Sequence, residues 1–389
     1  MCSHTTAAVH LVFVLGTRPE AIKLAPIILA ARARGSEFRS TIINTGQHEQ
    51  LSLDALAVFG LKADVDLQIM NPCQTPADVL ARILERLPRA LAREQPGVVL
   101  VQGDTSTALG AALSAYHLKV PIAHVEAGLR TGDRYIPFPE EMNRRLISPL
   151  ACYHFAPTKS ARDHLLHEGI TESSILITGN SIIDALYYLR DKAAPPRELA
   201  QGLSGRMLLV TSHRRENHGA GIRSICTALQ DIIVQCPDIH VVFPVHPNPD
   251  VNRDVFGLLG DLPQIRLIPP VDYPQLVWLL ERATLVLTDS GGVQEEAPAF
   301  GKPVLVLRDV TERPEGIEAG VARLVGTARQ NIVESALHLL QNPSAYAAMA
   351  KTVSPYGDGH ASERILRFLH ERISGVAATT IDPLDMASS

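Results

Sequence analysis

The chain has 389 residues, of which 46% are hydrophobic and 20% charged, and its formal net charge is −5. This length and balance are typical of a globular protein with two domains, and the negative charge argues against general binding to nucleic acid or to an anionic membrane. Five cysteines, odd in number and without CxxC spacing, indicate a reducing compartment and no zinc site. The N-terminal residues lack the basic start of a signal peptide, and no apolar run reaches the ~18 residues of a membrane span. We therefore expect a cytoplasmic protein.

Apolar strands alternate with helices through the first half of the chain. The sequence predicts strands at 9–15, 40–45, 98–102, 120–126 and 152–157, and helices at 16–35, near 48–59, near 76–94, from 105 and from about 139. Strands that are apolar throughout and separated by amphipathic helices indicate a parallel sheet covered on both faces. We predict a first Rossmann-like α/β domain over residues 9–190.

The same alternation restarts after residues 191–205, a stretch with two prolines and small polar residues that is predicted to link two domains. The further strands are predicted at 206–212, 239–246, 265–269, 283–289, 303–307 and 322–326, and helices near 331–340, 343–351 and 360–373. We predict a second Rossmann-like domain over 206–359 and a closing helix over 360–375. The tails, 1–8 and 376–389, are expected to be disordered.

The stretch DSGGVQEEAPAFGKP, residues 289–303, follows one of these strands. Ser290 is an N-cap residue type, and Gly291 and Gly292 leave bare backbone N–H groups where a helix begins. Such N–H groups, with the positive end of the helix dipole, form a seat for phosphate. Glu296 comes one turn later, where an acid can hydrogen-bond ribose hydroxyls. An ordinary capped strand–turn–helix has the same pattern, so this stretch alone leaves both interpretations open.

Acids and cations follow the predicted strands of the first half. Arg18 and Lys23 lie in GTRPEAIK, and Asp104, Glu126 and Glu140 follow three nearby strand ends. Asp104 alone is explained as a helix N-cap, and Glu140 as a first-turn acid that complements the dipole. Parallel sheets bind ligands beyond the carboxyl ends of their strands, so the three acids are expected to converge. Three acids facing two cations suit acid–base chemistry on an anionic substrate.

Basic residues follow strands of the second half. His213 opens the run HRREN, His246 lies in PVHPNP, and Arg313 lies in TERPE. Histidine can donate to a phosphate, and arginine can bind one with two parallel hydrogen bonds. The chain lacks HExxH, GxSxG and P-loop patterns, which argues against a zinc protease, an α/β-hydrolase and a P-loop nucleotidase.

Eleven sequence blocks occur in an order that is similar to one family. They are GTRPEAIK, QGDTST, HVEAGLRTGD, PEEMNRR, TGN, HRREN, PVHPNP, DSGGVQEEAP, GKPVLVLRD, TERPE and PYGDG. From about residue 9 to residue 372 the chain resembles the non-hydrolysing UDP-N-acetylglucosamine 2-epimerases. The resemblance implies a fold like that of GT-B glycosyltransferases, in which two Rossmann-like domains face a cleft that closes on a UDP-sugar. It also implies a homodimer and no metal or redox cofactor.

The resemblance implies roles for individual residues. The positions that match the family's catalytic set are Arg18, Lys23, Asp104, Glu126, Glu140 and His213. Those that match its substrate-binding set are Arg18, Lys23, His213, Leu276, Ser290, Gly291, Gly292, Glu296 and Arg313. Those which in some members bind a second, activating UDP-GlcNAc are Gln47, Gln50, Arg214 and His246. Leu276 stands where some relatives place an aromatic ring against uracil, and Cys73 stands where some activated relatives carry a basic residue.

The implied reaction is the reversible conversion of UDP-N-acetylglucosamine into UDP-N-acetylmannosamine, in service of polysaccharide biosynthesis. Elimination of UDP and of the C2 proton gives a 2-acetamidoglucal, to which both are returned with the proton on the opposite face. Three alternatives stay open at this point. They are the same reaction on a modified UDP-sugar of the diacetamido-glucuronic acid type, a GT-B glycosyltransferase, and a non-catalytic regulator that binds a nucleotide-sugar.

Overall fold

The computed structural model describes residues 8–71, 73–200, 205–351 and 354–377. The chain divides into two compact units, of which the first runs up to Ala185 and resumes at Gly359, and the second is Leu186–Asp358. Each unit is built on its own parallel sheet with helices between successive strands. The predicted α/β class with two Rossmann-like parallel sheets is confirmed.

The strands of the described residues overlap every strand that the sequence predicts. They are β1 (Val9–Leu15), β2 (Phe38–Asn44), β3 (Val65–Asp66), β4 (Val98–Gln102), β5 (Ile122–Val125), β6 (Tyr153–Ala156), β7 (Ile175–Ile177), β8 (Arg206–Thr211), β9 (Ile239–Pro244), β10 (Ile265–Ile268), β11 (Leu285–Thr288), β12 (Val304–Val306) and β13 (Ala322–Leu324). β3 and β7 were not predicted.

Helices follow most strands. They are α1 (Arg18–Ala33), α2 (Glu49–Val58), α3 (Pro76–Glu94), α4 (Ser106–His117), α5 (Glu140–Ile147), α6 (Lys159–His167), α7 (Ser181–Arg190), α8 (Ala220–Gln235), α9 (Pro249–Leu259), α10 (Tyr273–Arg282), α11 (Gly291–Ala299), α12 (Pro314–Glu318), α13 (Arg329–Gln341), α14 (Pro343–Met349) and α15 (Ala361–Ala377). Single 3-10 turns lie at Glu172–Ser174, Arg197–Leu199 and Arg215–Asn217. None of the described helices is long and apolar enough to cross a membrane.

Both sheets have the same strand order. In the first unit it is β3-β2-β1-β4-β5-β6-β7, and in the second it is β10-β9-β8-β11-β12-β13, with all neighbours parallel. The order reverses direction between β1 and β4 and again between β8 and β11. In doubly wound sheets ligands bind at this reversal, outside the carboxyl ends of the strands. The topology therefore points to two places, one in each unit.

The strands are buried because helices cover both faces of each sheet. Residues 11–15 of β1 have no exposed surface, as expected for a central strand that is apolar throughout. At the end of β1 the backbone passes other side chains very closely. A Cβ built on Gly16 would lie 1.9 Å from Thr45 Oγ1 and 2.5 Å from Thr107 Oγ1, so only glycine fits there.

The last helix, α15, packs on the first unit. The Asp184 carboxylate accepts hydrogen bonds from the N–H groups of Ala361 (3.2 Å) and Ser362 (2.8 Å), and so caps the start of α15. The Phe368 ring meets the Phe155 ring edge to face at 5.7 Å. The helix extends to Ala377. Residues 1–7 and 378–389 of the predicted tails lie outside the described residues.

Candidate active site

Four of the five predicted catalytic residues of the first unit line one pocket at its β1–β4 reversal. The pocket has a volume of about 450 Å³, and Lys23, Asp104, Glu126 and Glu140 all line it. Arg18, the first residue of α1, is exposed and is absent from this lining. The expected convergence of the three acids is therefore observed. Of the two cations expected beside them, Lys23 lines the pocket and Arg18 does not.

Glu126 follows β5 with a left-handed backbone, φ 63°, which is uncommon for a residue other than glycine. Its carboxylate is ion-paired with the Lys23 ammonium. The same oxygen accepts hydrogen bonds from the side-chain amides of Gln102 (3.1 Å) and Asn180 (3.2 Å). These donors hold a negatively charged carboxylate in one orientation. Sequence reasoning missed both residues. Gln102 ends a predicted strand, whereas Asn180 follows β7, which was not predicted.

Asp104 was predicted as the N-cap of α4, and that prediction is wrong. Thr105 caps the helix, because its hydroxyl accepts from the N–H of Ala108 at 3.0 Å. The Asp104 carboxylate lines the pocket instead and accepts a hydrogen bond from an Arg144 terminal nitrogen at 2.5 Å. Burial raises the pKa of Asp104 above its usual range, the Arg144 charge opposes this, and the Glu126 charge adds to it.

Glu140 is the first residue of α5 and lines the same pocket. Burial raises the pKa of Glu140, and the negative charge of Asp104 raises it further. Two of the three predicted acids thus hold their protons at higher pH than exposed carboxyls do. Carboxyls with raised pKa values suit proton transfer near neutral pH.

Glu20 is a fourth acid of the pocket that sequence reasoning did not assign to the site. Its fully buried carboxylate closes a capping box at the start of α1, accepting from the N–H groups of Gly16 (3.0 Å) and Thr17 (2.8 Å). It also accepts from the Thr105 hydroxyl at 2.7 Å. Glu20 therefore joins the starts of α1 and α4 across the reversal, and burial raises its pKa to about 7.

The second unit presents a helix start at its β8–β11 reversal. Ser290 is the N-cap of α11, and its side chain makes no capping hydrogen bond. Gly291 and Gly292 are the first two helical residues. A Cβ built on Gly291 would meet no described atom within 4 Å, so packing within the chain does not require glycine there. A helix start without a side-chain cap is suited to hold an anion.

Asp289 precedes this helix start and is buried completely. Its carboxylate accepts hydrogen bonds from the N–H groups of His213 and Arg214 (both 3.1 Å) and from the side chains of Ser212 and Asn217 (both 2.9 Å). Asp289 thereby binds the loop after β8 to the end of β11. This contact places the half-exposed His213 side chain beside the start of α11, with its Nδ1 atom 3.3 Å from Asp289.

The two glutamates of α11 each hold a side chain from another element. Glu295 is ion-paired with Arg313, which precedes α12. Glu296 accepts a hydrogen bond from the Tyr273 hydroxyl at 2.7 Å. Tyr273 begins α10, the helix that carries Leu276 one turn later. Sequence reasoning missed Tyr273, although its position beside the predicted uracil contact was a usable signal.

The four positions proposed to bind an activating ligand are divided between the units. Gln47 accepts from the N–H of Thr107 at 3.1 Å and lines the main pocket, and Gln50 lines a second pocket of about 480 Å³. In the second unit, Arg214 donates to the backbone carbonyl of Asp289 at 3.0 Å, and His246 Nδ1 accepts from a backbone N–H. Among the described residues, no group of three or more His, Cys, Asp or Glu is arranged to hold a metal ion.

The two units together define a class of protein. The three predicted acids and a lysine line a pocket at the reversal of one doubly wound sheet, and a helix start without a side-chain cap lies at the reversal of the other. This arrangement is typical of enzymes that act on nucleotide-linked substrates. The glycosyltransferase of kitacinnamycin shares the fold, with a TM-score of 0.62 at 16% identity over 94% of this chain and 100% of that chain. That likeness concerns the fold alone.

The chain belongs to the UDP-N-acetylglucosamine 2-epimerase family, whose model matches residues 30–370. It is 48% identical over 371 residues to the UDP-N-acetylglucosamine 2-epimerase of Escherichia coli K12, covering 93% of this chain and 98% of the relative. The structure of a putative 2-epimerase from Listeria monocytogenes matches with a TM-score of 0.90 at 42% identity, covering 95% and 98% of the two chains. That of the Neisseria meningitidis 2-epimerase bound to UDP-GlcNAc matches with a TM-score of 0.85 at 41% identity, covering 93% and 99%. The family resemblance seen in the sequence is confirmed.

Proposed function

We propose that the chain catalyses the reversible 2-epimerisation of UDP-N-acetylglucosamine to UDP-N-acetylmannosamine. The observation that carries the proposal is the pocket in which Asp104, Glu126 and Glu140 lie together beside Lys23. The chain's relatives from Escherichia coli and Neisseria meningitidis are named for this activity, and the latter is bound to UDP-GlcNAc.

The first step of the proposed reaction is an elimination. The C1–O bond breaks, and its electron pair leaves on the β-phosphate oxygen of UDP. Positive character at C1 makes the C2 proton acidic, and a pocket carboxylate takes that proton as the C1–C2 double bond forms. Cations and N–H groups that absorb the charge on UDP lower the barrier. We assign this role to the bare helix start at Ser290, Gly291 and Gly292, and to Arg18, His213 and Arg313.

The second step is the reverse addition on the other face. A carboxylic acid gives a proton to C2 of the glucal, and the UDP oxygen returns its electron pair to C1. Transfer on two faces needs at least two acid–base groups, one able to accept a proton and one able to donate. Asp104 and Glu140, whose pKa values burial raises, and Glu126, which is paired with Lys23, supply candidates for both duties.

The nucleotide is assigned to the second unit. Glu296, fixed on one oxygen by Tyr273, is proposed to bind the ribose, and Leu276 on α10 to pack against uracil. Gln47, Gln50, Arg214 and His246 are proposed as contacts of an activating UDP-sugar. We also propose a homodimer located in the cytoplasm. The four described cysteines are free thiols, which suits a reducing compartment.

Proton NMR of the purified protein with UDP-GlcNAc in D₂O, without metal or acceptor, tests the proposed function. We expect UDP-N-acetylmannosamine with deuterium at C2. Free N-acetylmannosamine with UDP would indicate a hydrolysing reaction instead. An unchanged UDP-GlcNAc spectrum from a protein that binds UDP would contradict the proposed substrate and favour a modified sugar or a transferase. The variant Asp163→Asn, which alters an exposed acid on α6, is the matched positive control.

A further inference from the structure

Helix α5 carries the pocket acid Glu140, and other residues of the same helix bind the pocket acid Asp104. Glu140 and Arg144 are one turn apart, so they project from the same side of the helix. Glu140 lines the pocket, while Arg144 binds the carboxylate of Asp104 at 2.5 Å. The side-chain amide of Asn143 donates to the backbone carbonyl of Asp104 at 2.8 Å. Consecutive residues of α5 therefore hold Asp104 by its side chain and by its backbone.

Arg144 also contacts a second, buried carboxylate on the same helix. Its side chain is only 9% exposed, and its second terminal nitrogen lies 3.5 Å from the carboxylate of Glu141, which is fully buried. Glu141 also accepts from the N–H of Thr131 and from Arg145 Nε, each at 3.1 Å. The guanidinium is therefore ion-paired with Glu141 in the protein interior and with Asp104 at the pocket. Asp104 remains 28% exposed, so the rest of its carboxylate is open to the pocket.

We propose that Arg144 is a positioning residue of the epimerase reaction, which aims the Asp104 carboxylate into the pocket and stabilises its charged form. This inference rests on the proposed function above. It extends the acid–base set by a residue that touches no substrate but acts through Asp104. A planar guanidinium with two donors in a fixed geometry suits this task better than a lysine ammonium.

The charges that face Asp104 give the direction of the effect. Glu126, Glu140 and Glu20 are the other acids that line the same pocket, and Lys23 and Arg144 are the cations that act on Asp104. Burial raises the pKa of Asp104, and Arg144 gives the strongest opposition to that rise. If Arg144 loses its charge, the pKa of Asp104 must rise further, and the Asp104 carboxylate must lose its fixed orientation.

The test compares Arg144→Gln and Arg144→Lys with Arg145→Gln. Arg145 is the matched control, because it lies on the same helix and binds the same Glu141 without reaching Asp104. Glu141 keeps Arg145 and Thr131 as partners in the Arg144 variants, which favours an intact fold. We expect kcat to fall about 10- to 100-fold in Arg144→Gln with KM changed by less than about threefold, a partial recovery in Arg144→Lys, and a change below about twofold in Arg145→Gln.

Two readouts separate positioning from a structural role. In the kcat–pH profile, the limb that depends on Asp104 moves to higher pH in Arg144→Gln and moves back in Arg144→Lys. In carbon-13 NMR of protein labelled at the aspartate carboxyls, with Asp104→Asn for assignment, the Asp104 titration moves in the same direction. Equal losses in Arg144→Gln and Arg145→Gln with an unmoved titration would overturn the inference, as would wild-type kcat in Arg144→Gln. The NMR titration does not require turnover, so it tests the inference even if the wild type fails to epimerise UDP-GlcNAc.

Discussion

In the first unit, acids beyond the strand ends bind side chains of their own unit and also line a pocket, whereas in the second unit the corresponding acids mainly hold neighbouring loops and helices in place. Asp104 and Glu140 meet the pocket of the first unit. In the second, Asp289 is buried under four donors, Glu295 holds Arg313, and Glu296 holds Tyr273. The carboxylates of the second unit bind loop residues and neighbouring side chains. The start of α11 has no side-chain cap.

The electrostatics of the two units differ in the same way. Burial raises the pKa values of Asp104 and Glu140, and the available cations do not reverse that rise. Burial also pushes the pKa of Glu312 upward in the second unit, but Arg308 and Arg214 outweigh it and lower that pKa to about 2. Asp104 and Glu140 hold their protons to higher pH than exposed carboxyls do, whereas Glu312 stays charged at neutral pH. We propose that one strand order supports proton transfer in the first unit and anion binding in the second, because function depends on the residues at the strand ends.

The largest expected effect comes from the pocket acids. Asp104→Asn, Glu126→Gln and Glu140→Gln should each lower kcat by about 10²- to 10⁴-fold, because each removes a candidate for proton transfer. The assay is the rate of UDP-N-acetylmannosamine formation followed by NMR, with circular dichroism as the check of fold. Asp163→Asn should keep wild-type activity. Wild-type rates in all three pocket variants would remove proton transfer from the first unit.

Arg313→Ala should act on binding. We expect the affinity for UDP, measured by isothermal titration calorimetry, to fall about 10- to 100-fold through loss of charge-assisted hydrogen bonds to phosphate. The truncation also leaves Glu295 buried without its arginine, so the double variant Arg313→Ala/Glu295→Gln separates that penalty from lost binding. Arg329→Ala, which removes an exposed arginine paired with Asp231 on the same unit, is the control. Unchanged UDP affinity in the double variant would exclude Arg313 from the nucleotide site.

Gly291→Ala should weaken UDP binding while leaving the fold intact. The added Cβ meets no described atom within 4 Å, so stability should change by no more than about 1 kcal/mol. The methyl group would instead occupy the approach to the bare N–H groups, and we expect about tenfold weaker binding. Gly257→Ala on α9, where a Cβ also meets open space, is the matched control for calorimetry and thermal unfolding. Equal UDP affinity in both variants would place the anion elsewhere.

The smallest expected effect is that of Tyr273→Phe. The substitution removes one hydrogen bond, from the Tyr273 hydroxyl to the Glu296 carboxylate. Because Tyr273 acts on UDP only through Glu296, UDP affinity should fall only about threefold. Tyr346→Phe, which removes a hydroxyl bonded at 2.9 Å to a backbone carbonyl in the same unit, is the control. Calorimetry with 2′-deoxy-UDP provides the cross-check, since Tyr273→Phe should matter less once a ribose hydroxyl is missing. An equal loss for both nucleotides would contradict the ribose assignment of Glu296.

The strands that could be predicted from sequence are those with a continuous apolar run. β1 was predicted over its observed bounds, because six of its seven residues are apolar and leave little ambiguity. β3, with two residues, and β7, with three, are too short to carry a periodic signal. The order of the strands in each sheet could not be predicted from the sequence either, because it depends on the path of the connections between strands.

Site residues that directly follow a strand could be predicted from the sequence. Residues that reach the site only through a contact with a distant part of the chain could not. Asp104, Glu126 and Glu140 were named from position. Arg144 was not, because its contact with Asp104 joins residues 40 positions apart. The prediction that Asp104 caps α4 was wrong because the next residue, Thr105, is the N-cap of that helix. Local rules identify the residue types of a cap, and the backbone path decides which of two neighbours fills it.

The central claim is that the first unit transfers protons and the second holds UDP. The direct test is calorimetric titration of UDP into the variant that combines Asp104→Asn, Glu126→Gln and Glu140→Gln. We expect this protein to bind UDP within about threefold of the wild-type affinity, since no charge-assisted contact to phosphate is removed, while it fails to form any UDP-N-acetylmannosamine. A loss of UDP affinity as large as that of the Arg313 or Gly291 variants would contradict the division of roles between the two units.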